Sequence, residues 1–150
     1  MKQIYIIIGF LLLSFVATAQ KDTPFHKDYF SKEQKQALKE AIKNIEDGDD
    51  YAEVDEAYHK ALEYYFLAQK FNPNNAELNF KIGLCHLISA NEDKTKALGY
   101  FLKSYELNPS FNTEIHYYLG RGYHMNGNWE KAMEEYSNYM SKHSNTPPIQ

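Results

Sequence analysis

Three stretches of this chain carry the same spacing, and that spacing limits the fold more than any other feature. In residues 97–109, ALGYFLKSYELNP, the residues Ala97, Phe101, Ser104 and Pro109 stand at offsets 0, 4, 7 and 12. Residues 61–73, ALEYYFLAQKFNP, repeat those offsets with Ala61, Tyr65, Ala68 and Pro73. Residues 132–143 repeat them again with Ala132, Tyr136 and Tyr139, and Ser144 takes the proline slot. The three alanines lie 36 and then 35 residues apart. A period of that length with helical spacing inside each unit marks stacked helix–turn–helix repeats. A small residue lets two helices approach, an aromatic ring one turn later fills the gap, and proline stops the helix.

The 150 residues are 43% apolar and 15% aromatic, enough for one packed domain. The net charge of −4 is mild and no block of five Lys or Arg occurs, so nucleic-acid binding has no electrostatic footprint. Residues 1–19 read as a signal peptide. Lys2 is the positive start, Ile4 to Val16 is an apolar run, and Ala17-Thr18-Ala19 places small residues before a cut at Gln20. The run is short for a bilayer span, so the mature chain carries no membrane span on this reading. It predicts an exported protein, periplasmic or associated with the outer membrane. Cys85 is the single cysteine, so no intrachain disulfide is available, and Leu78, Ile82 and Cys85 share one helical face as core residues would.

Residues 20–30 form a polar entry segment whose aromatics can tuck against the first helix. Ser31 and Gln34 have capping-box spacing, and Leu38, Ala41, Ile42 and Ile45 form an apolar stripe. The run Glu46-Asp47-Gly48-Asp49-Asp50 is expected to end that helix as a solvated turn. Further helices are predicted over 52–71, 76–90, 94–107, 112–126 and 129–142. Asn75 is the expected cap of the third. The last is expected to place Trp129, Ala132, Met133, Tyr136 and Met140 on one face. Residues 144–150, with two prolines, form a short tail. Gly83 precedes Ala97 by 14 residues and Gly120 precedes Ala132 by 12. Mid-helix glycine costs about 1 kcal/mol relative to alanine, so its recurrence in register points to close backbone packing. The reading is all-α: a right-handed superhelix of about three repeats, 31–74, 75–110 and 111–143.

Leu119-Gly120, Tyr123, Ala132, Tyr136 and Tyr139 resemble a tetratricopeptide (TPR) repeat. Ile82-Gly83, Ala97, Phe101 and Pro109 resemble a second, with a two-residue insertion between its helices. The first repeat is expected to be degenerate, its first helix lacking the glycine and its connection about six residues too long. Residues 64–87 and 96–136 are also similar to the N-terminal repeats of exported Bacteroidota-type envelope proteins. In those proteins a propeller-like domain and an OmpA-type peptidoglycan-binding domain follow, and some serve type IX secretion. This sequence stops at Gln150 without either domain, so the wall-anchoring role does not carry over. The expectation is a solitary paralogue or a truncated product.

No constellation of catalytic residues emerges. The six histidines are scattered, no HExxH or phosphate loop occurs, and the carboxylates fall beside lysines on helix faces. The reading is a non-enzyme with no cofactor and no metal. A binding surface remains. By analogy with repeat positions that line the groove of such arrays, Phe80, Leu84 and Leu87 are expected to face it, continued by Tyr117, Arg121 and His124. An apolar-aromatic groove with one guanidinium suits a peptide, Arg121 being available for a carboxylate. The helix at 129–142, left without a capping helix, is expected to pair with a second copy or another envelope protein. These features read as an envelope scaffold or adaptor, with an accessory subunit of an envelope enzyme or transport machine as the rival.

Overall fold

The structure, a computed structural model, describes residues 21–54 and 56–143. The predicted signal peptide with its cut before Gln20, and the tail at 144–150, lie outside the described residues. Six α-helices follow one another: α1 (Lys35–Glu53), α2 (Tyr58–Phe71), α3 (Ala76–Ile88), α4 (Ala97–Leu107), α5 (Ile115–Met125) and α6 (Trp129–His143). Short 3-10 turns at Lys27–Tyr29, Lys32–Gln34 and Lys94–Lys96 precede α1 and α4. No described residue belongs to a strand. The helices pack most closely as consecutive pairs, α1 with α2, α3 with α4 and α5 with α6, and the pairs join through α2/α3 and α4/α5. This is a TPR-like helical-repeat superhelix.

One contact recurs inside every pair. A Cβ built on Gly48 would lie 2.5 Å from the ring of Tyr65. On Gly83 it would lie 2.6 Å from Phe101, and on Gly120 2.5 Å from Tyr136. In each pair the ring from the second helix rests on bare backbone of the first, and only glycine leaves room for it. Phe101 and Ala97 are fully buried and Tyr65 is 2% exposed, so these rings have little room to withdraw.

The first repeat therefore has its glycine, and two expectations for it are corrected. Gly48 precedes Ala61 by 13 residues, between the 14 and 12 of the other repeats, so the connection is of ordinary length. The acidic run 46–50 does not end the helix; α1 continues through it to Glu53. Two of its four acids, Asp47 and Asp49, are held by partners, and Glu46 and Asp50 are exposed. Lys43 Nζ pairs with Asp47 one turn on at 2.6 Å, and Asp49 is held by Tyr65 and Lys81. Gly48 itself points inward. In consequence α2 begins at Tyr58 rather than 52.

The turns between repeats use asparagine in the same way twice. Asn72 Oδ1 accepts from the Asn74 N–H at 3.2 Å, and Asn108 Oδ1 from the Ser110 N–H at 3.2 Å, each bracketing a proline. Asn75 caps α3, accepting from the Leu78 N–H at 2.8 Å. The entry segment lies over this turn. Asp22 accepts from the Ala76 N–H at 2.9 Å and from Asn108 Nδ2 at 3.1 Å, and Phe25 and Phe30 pack on Phe71. The aromatics thus settle on the end of α2, and Phe25 also lines a hollow with Ile42 and Ile45 of α1.

The face of α6 that carries Trp129, Ala132, Met133, Tyr136 and Met140 is inward only in part, with Tyr136 half-buried over Gly120. Ala132 is buried, but Trp129, Met133 and Met140 are 61%, 71% and 66% exposed, because no further helix packs on them among the described residues.

The lock predicts opposite signs for two glycine substitutions. Gly83→Ala should lower unfolding free energy by about 1 kcal/mol or more, because overpacking against Phe101 exceeds the helix-propensity gain. Gly99→Ala, exposed in α4 with nothing within 4 Å of its Cβ position, should raise it by about 0.5–1 kcal/mol. Urea unfolding of both variants checks the pair.

Ser104 stands where the first repeat has Ala68; it is fully buried and its hydroxyl has no partner among the described residues. Ser104→Ala should therefore stabilise by about 1 kcal/mol in the same assay.

Candidate functional site

The first helices of repeats one and two leave a cavity of about 570 Å³ between them. Its apolar lining comes from Ala52 of α1, from Phe80, Leu84 and Ile88 of α3, and from Phe111 before α5. Phe80 is wedged in place by Phe101, Phe111 and Tyr118, with ring centroids 4.9–5.9 Å away. It is 7% exposed. Ile88, at the end of α3, is 46% exposed.

The polar lining is unequal in charge. Asp49, Glu53, Glu56 and Glu77 contribute carboxylates and Lys81 contributes the single ammonium. Lys81 Nζ donates to both Asp49 oxygens at 2.7 Å and lies 3.4 Å from Glu77. The Tyr65 hydroxyl also donates to Asp49 Oδ1, at 2.7 Å. Tyr65 thus does two things: its ring fills the space over Gly48, and its oxygen fixes a carboxylate at the cavity floor. Burial, and then the bond to Asp49, push the Tyr65 hydroxyl well above the usual phenol range, so it remains a donor. Glu56 carries its carboxylate from a backbone held at φ 50°, a left-handed conformation that costs a side-chain-bearing residue about 1–2 kcal/mol.

Of the six residues expected in a groove, two line this cavity: Phe80 and Leu84. Leu87 is corrected. It is 1% exposed and packed with Ala97, Phe101, Ile115 and Leu119, where it holds repeat two to repeat three. Tyr117, Arg121 and His124 lie apart from the cavity. Tyr117 packs on Tyr118, Tyr136 and Tyr139, the Arg121 guanidinium sits 6.0 Å from the Tyr117 ring, and His124 lies edge-on to Trp129 at 4.7 Å. Arg121 is consequently not placed to offer a guanidinium to anything in the cavity.

Asp49 and Ala52 were missed, although the sequence held the signal. Phe80, Leu84 and Leu87 stand at −3, +1 and +4 from Gly83, and Tyr117, Arg121 and His124 at the same offsets from Gly120. Applied to Gly48, those offsets give Ile45, Asp49 and Ala52. Treating 46–50 as a turn hid the frame.

The remaining titratable groups belong to the scaffold. Cys85 is 2% exposed, and burial pushes its thiol up to about 12, so it stays protonated and unreactive. His116 donates from Nδ1 to Glu135 at 2.6 Å and accepts at Nε2 from Lys142 at 2.9 Å, clasping α5 to α6. His86 is 3% exposed and stacked on Tyr100 at 5.5 Å. Among the described residues, no group of three or more His, Cys, Asp or Glu is arranged to hold a metal ion.

No family model matches this chain. Over 103 residues, 67% of its length, it is 36% identical to the Photosystem I assembly protein Ycf3 of Rippkaea orientalis (strain PCC 8801 / RF-1). The match takes in 56% of that protein, so the chain spans about half the length of the curated relative it matches. The helical pairs and this likeness together support a TPR-like protein. No helix among the described residues is long and apolar enough to cross a membrane.

Burial lowers the pKa of His86, outweighing the raising effect of Glu92 3.3 Å from Nδ1. The folded state therefore prefers the neutral ring. Its contribution to stability is whole above the unfolded pKa of about 6.5 and is lost as pH falls from there through the lower folded value. Tm should fall on acidification below about pH 6.5, and His86→Phe, which keeps a ring against Tyr100, should show a shallower fall. Scanning calorimetry across that range measures both slopes.

Proposed function

We propose that this protein is a non-catalytic interaction or assembly adaptor that holds a protein segment in the cavity between α1 and α3. The observation that carries the reading is the cavity itself. It has an apolar wall set by Phe80, Leu84 and Ile88, and its inner polar groups, Asp49, Tyr65 and Lys81, are committed to one another rather than arranged as nucleophile, base or metal ligands. Pockets of this size with a mostly apolar lining and a few fixed polar groups are ordinary binding sites. An assembly role is also what the name of the matched relative states of that protein.

Place and company extend the reading. The apolar run and small-residue cut at residues 1–20 favour export, with work in the periplasm or at the outer membrane, among peptidoglycan-associated or type IX secretion assemblies. Exposed Trp129, Met133 and Met140 on α6 favour a second contact there, with another copy of this chain as the occupant. The rival, an accessory subunit of an envelope enzyme or transport machine, would use the same cavity for a different partner.

Crosslinking in intact cells followed by mass spectrometry tests the adaptor reading. Wild type should capture a defined partner, and Leu84→Asp, with helicity unchanged by circular dichroism, should lose it. Equal capture by both would remove the cavity as the working surface. Sedimentation of Met133→Glu/Met140→Glu tests the α6 contact separately: a wild-type dimer should become a monomer.

A further inference from the structure

We infer that the occupant of the cavity is a polypeptide segment that sets a Lys or Arg among Glu53, Glu56 and Glu77 and lays neighbouring apolar side chains on Phe80, Leu84 and Ile88. This inference rests on the adaptor reading of the cavity and names the chemistry of its partner.

Charge complementarity carries it. Four carboxylates against one ammonium leave the lining three negative charges in excess. The ammonium is already spent: Lys81 is held by both oxygens of Asp49 and approached by Glu77. An incoming carboxylate would find no unshared cation and would face a net excess of three negative charges, two of them on the unpaired Glu53 and Glu56. Glu53 and Glu56 have no cation paired with them among the described residues, and both are exposed at the cavity mouth.

The acids and the apolar surface are also ordered in space. Glu53 and Glu56 stand on one wall, at the end of α1 and the loop after it. Glu77 and Lys81 stand one turn apart on α3, and Leu84 and Ile88 continue the same α3 face at further turns of 3 and 4 residues. A segment running along α3 meets acid first and apolar surface after it. A helix or strand with a basic residue beside Leu, Phe or Met side chains matches that order. Lysine and arginine add a further fit, since their aliphatic stems can lie on apolar surface while the charged end reaches the carboxylates.

The test is selection from a display library of random twelve-residue peptides against the full chain, followed by affinity measurement of the enriched peptides by fluorescence polarisation. The expected result is enrichment of peptides with Lys or Arg next to large apolar residues. Their affinity should fall about tenfold in Glu53→Gln/Glu56→Gln/Glu77→Gln and fall as salt rises. It should be lost in Leu84→Asp and unchanged in Glu130→Gln/Glu134→Gln, which removes two exposed acids from α6. Enriched peptides that are acidic or uncharged, yet still lost in Leu84→Asp, would overturn the cationic partner and leave the cavity reading standing. Enrichment insensitive to Leu84→Asp, or no enrichment at all, would overturn both.

Discussion

The rest of this structure depends on a ring resting on a bare backbone. Gly48 under Tyr65, Gly83 under Phe101 and Gly120 under Tyr136 bring each pair of helices closer than any side chain at those positions would permit. The cost of glycine inside a helix, about 1 kcal/mol, is offset by burying an aromatic ring, completely for Tyr65 and Phe101 and in part for Tyr136. Aromatic burial is the largest single apolar contribution available to a small domain. Once the pairs are closed, the small residues Ala61, Ala97 and Ala132 sit fully or almost fully buried, and Leu87 can reach across from repeat two into repeat three.

The same contact sets the chemistry of the cavity. In repeat one the locking ring is tyrosine, and its hydroxyl reaches the carboxylate of the residue after the glycine, Asp49. In repeat two the residue after the glycine is Leu84, which needs no donor, and the locking ring is Phe101. A packing position and a surface position are thereby joined through one side chain. Asp49 then fixes Lys81, and Lys81 approaches Glu77, so the floor of the cavity is ordered from the core outward.

The all-α repeat and the paired helices were legible because small, aromatic and proline positions recur at fixed offsets, and packing enforces that recurrence. Helix ends around 46–57 were not legible. The acids of 46–50 look like a solvated turn when read locally. The partners of Asp49, Lys81 and the Tyr65 hydroxyl, stand 32 and 16 residues away, and only folding brings them together. Leu87 was misplaced for a related reason: its offset matches a groove position, but the neighbouring repeat covers it. Tyr117, Arg121 and His124 share those offsets in the last repeat. They close on α6 and on each other.

Repeat one carries its glycine inside a continuous helix. Amide hydrogen exchange across residues 46–53 tests it most directly. Slow exchange is expected there, comparable with the preceding turns of α1, because each of these N–H groups is bonded within the helix and Gly48 is covered by Tyr65. Exchange at the rate of a free chain over 46–50 would mean that α1 stops short of Gly48. The first lock and the Asp49 wall of the cavity would then both be absent.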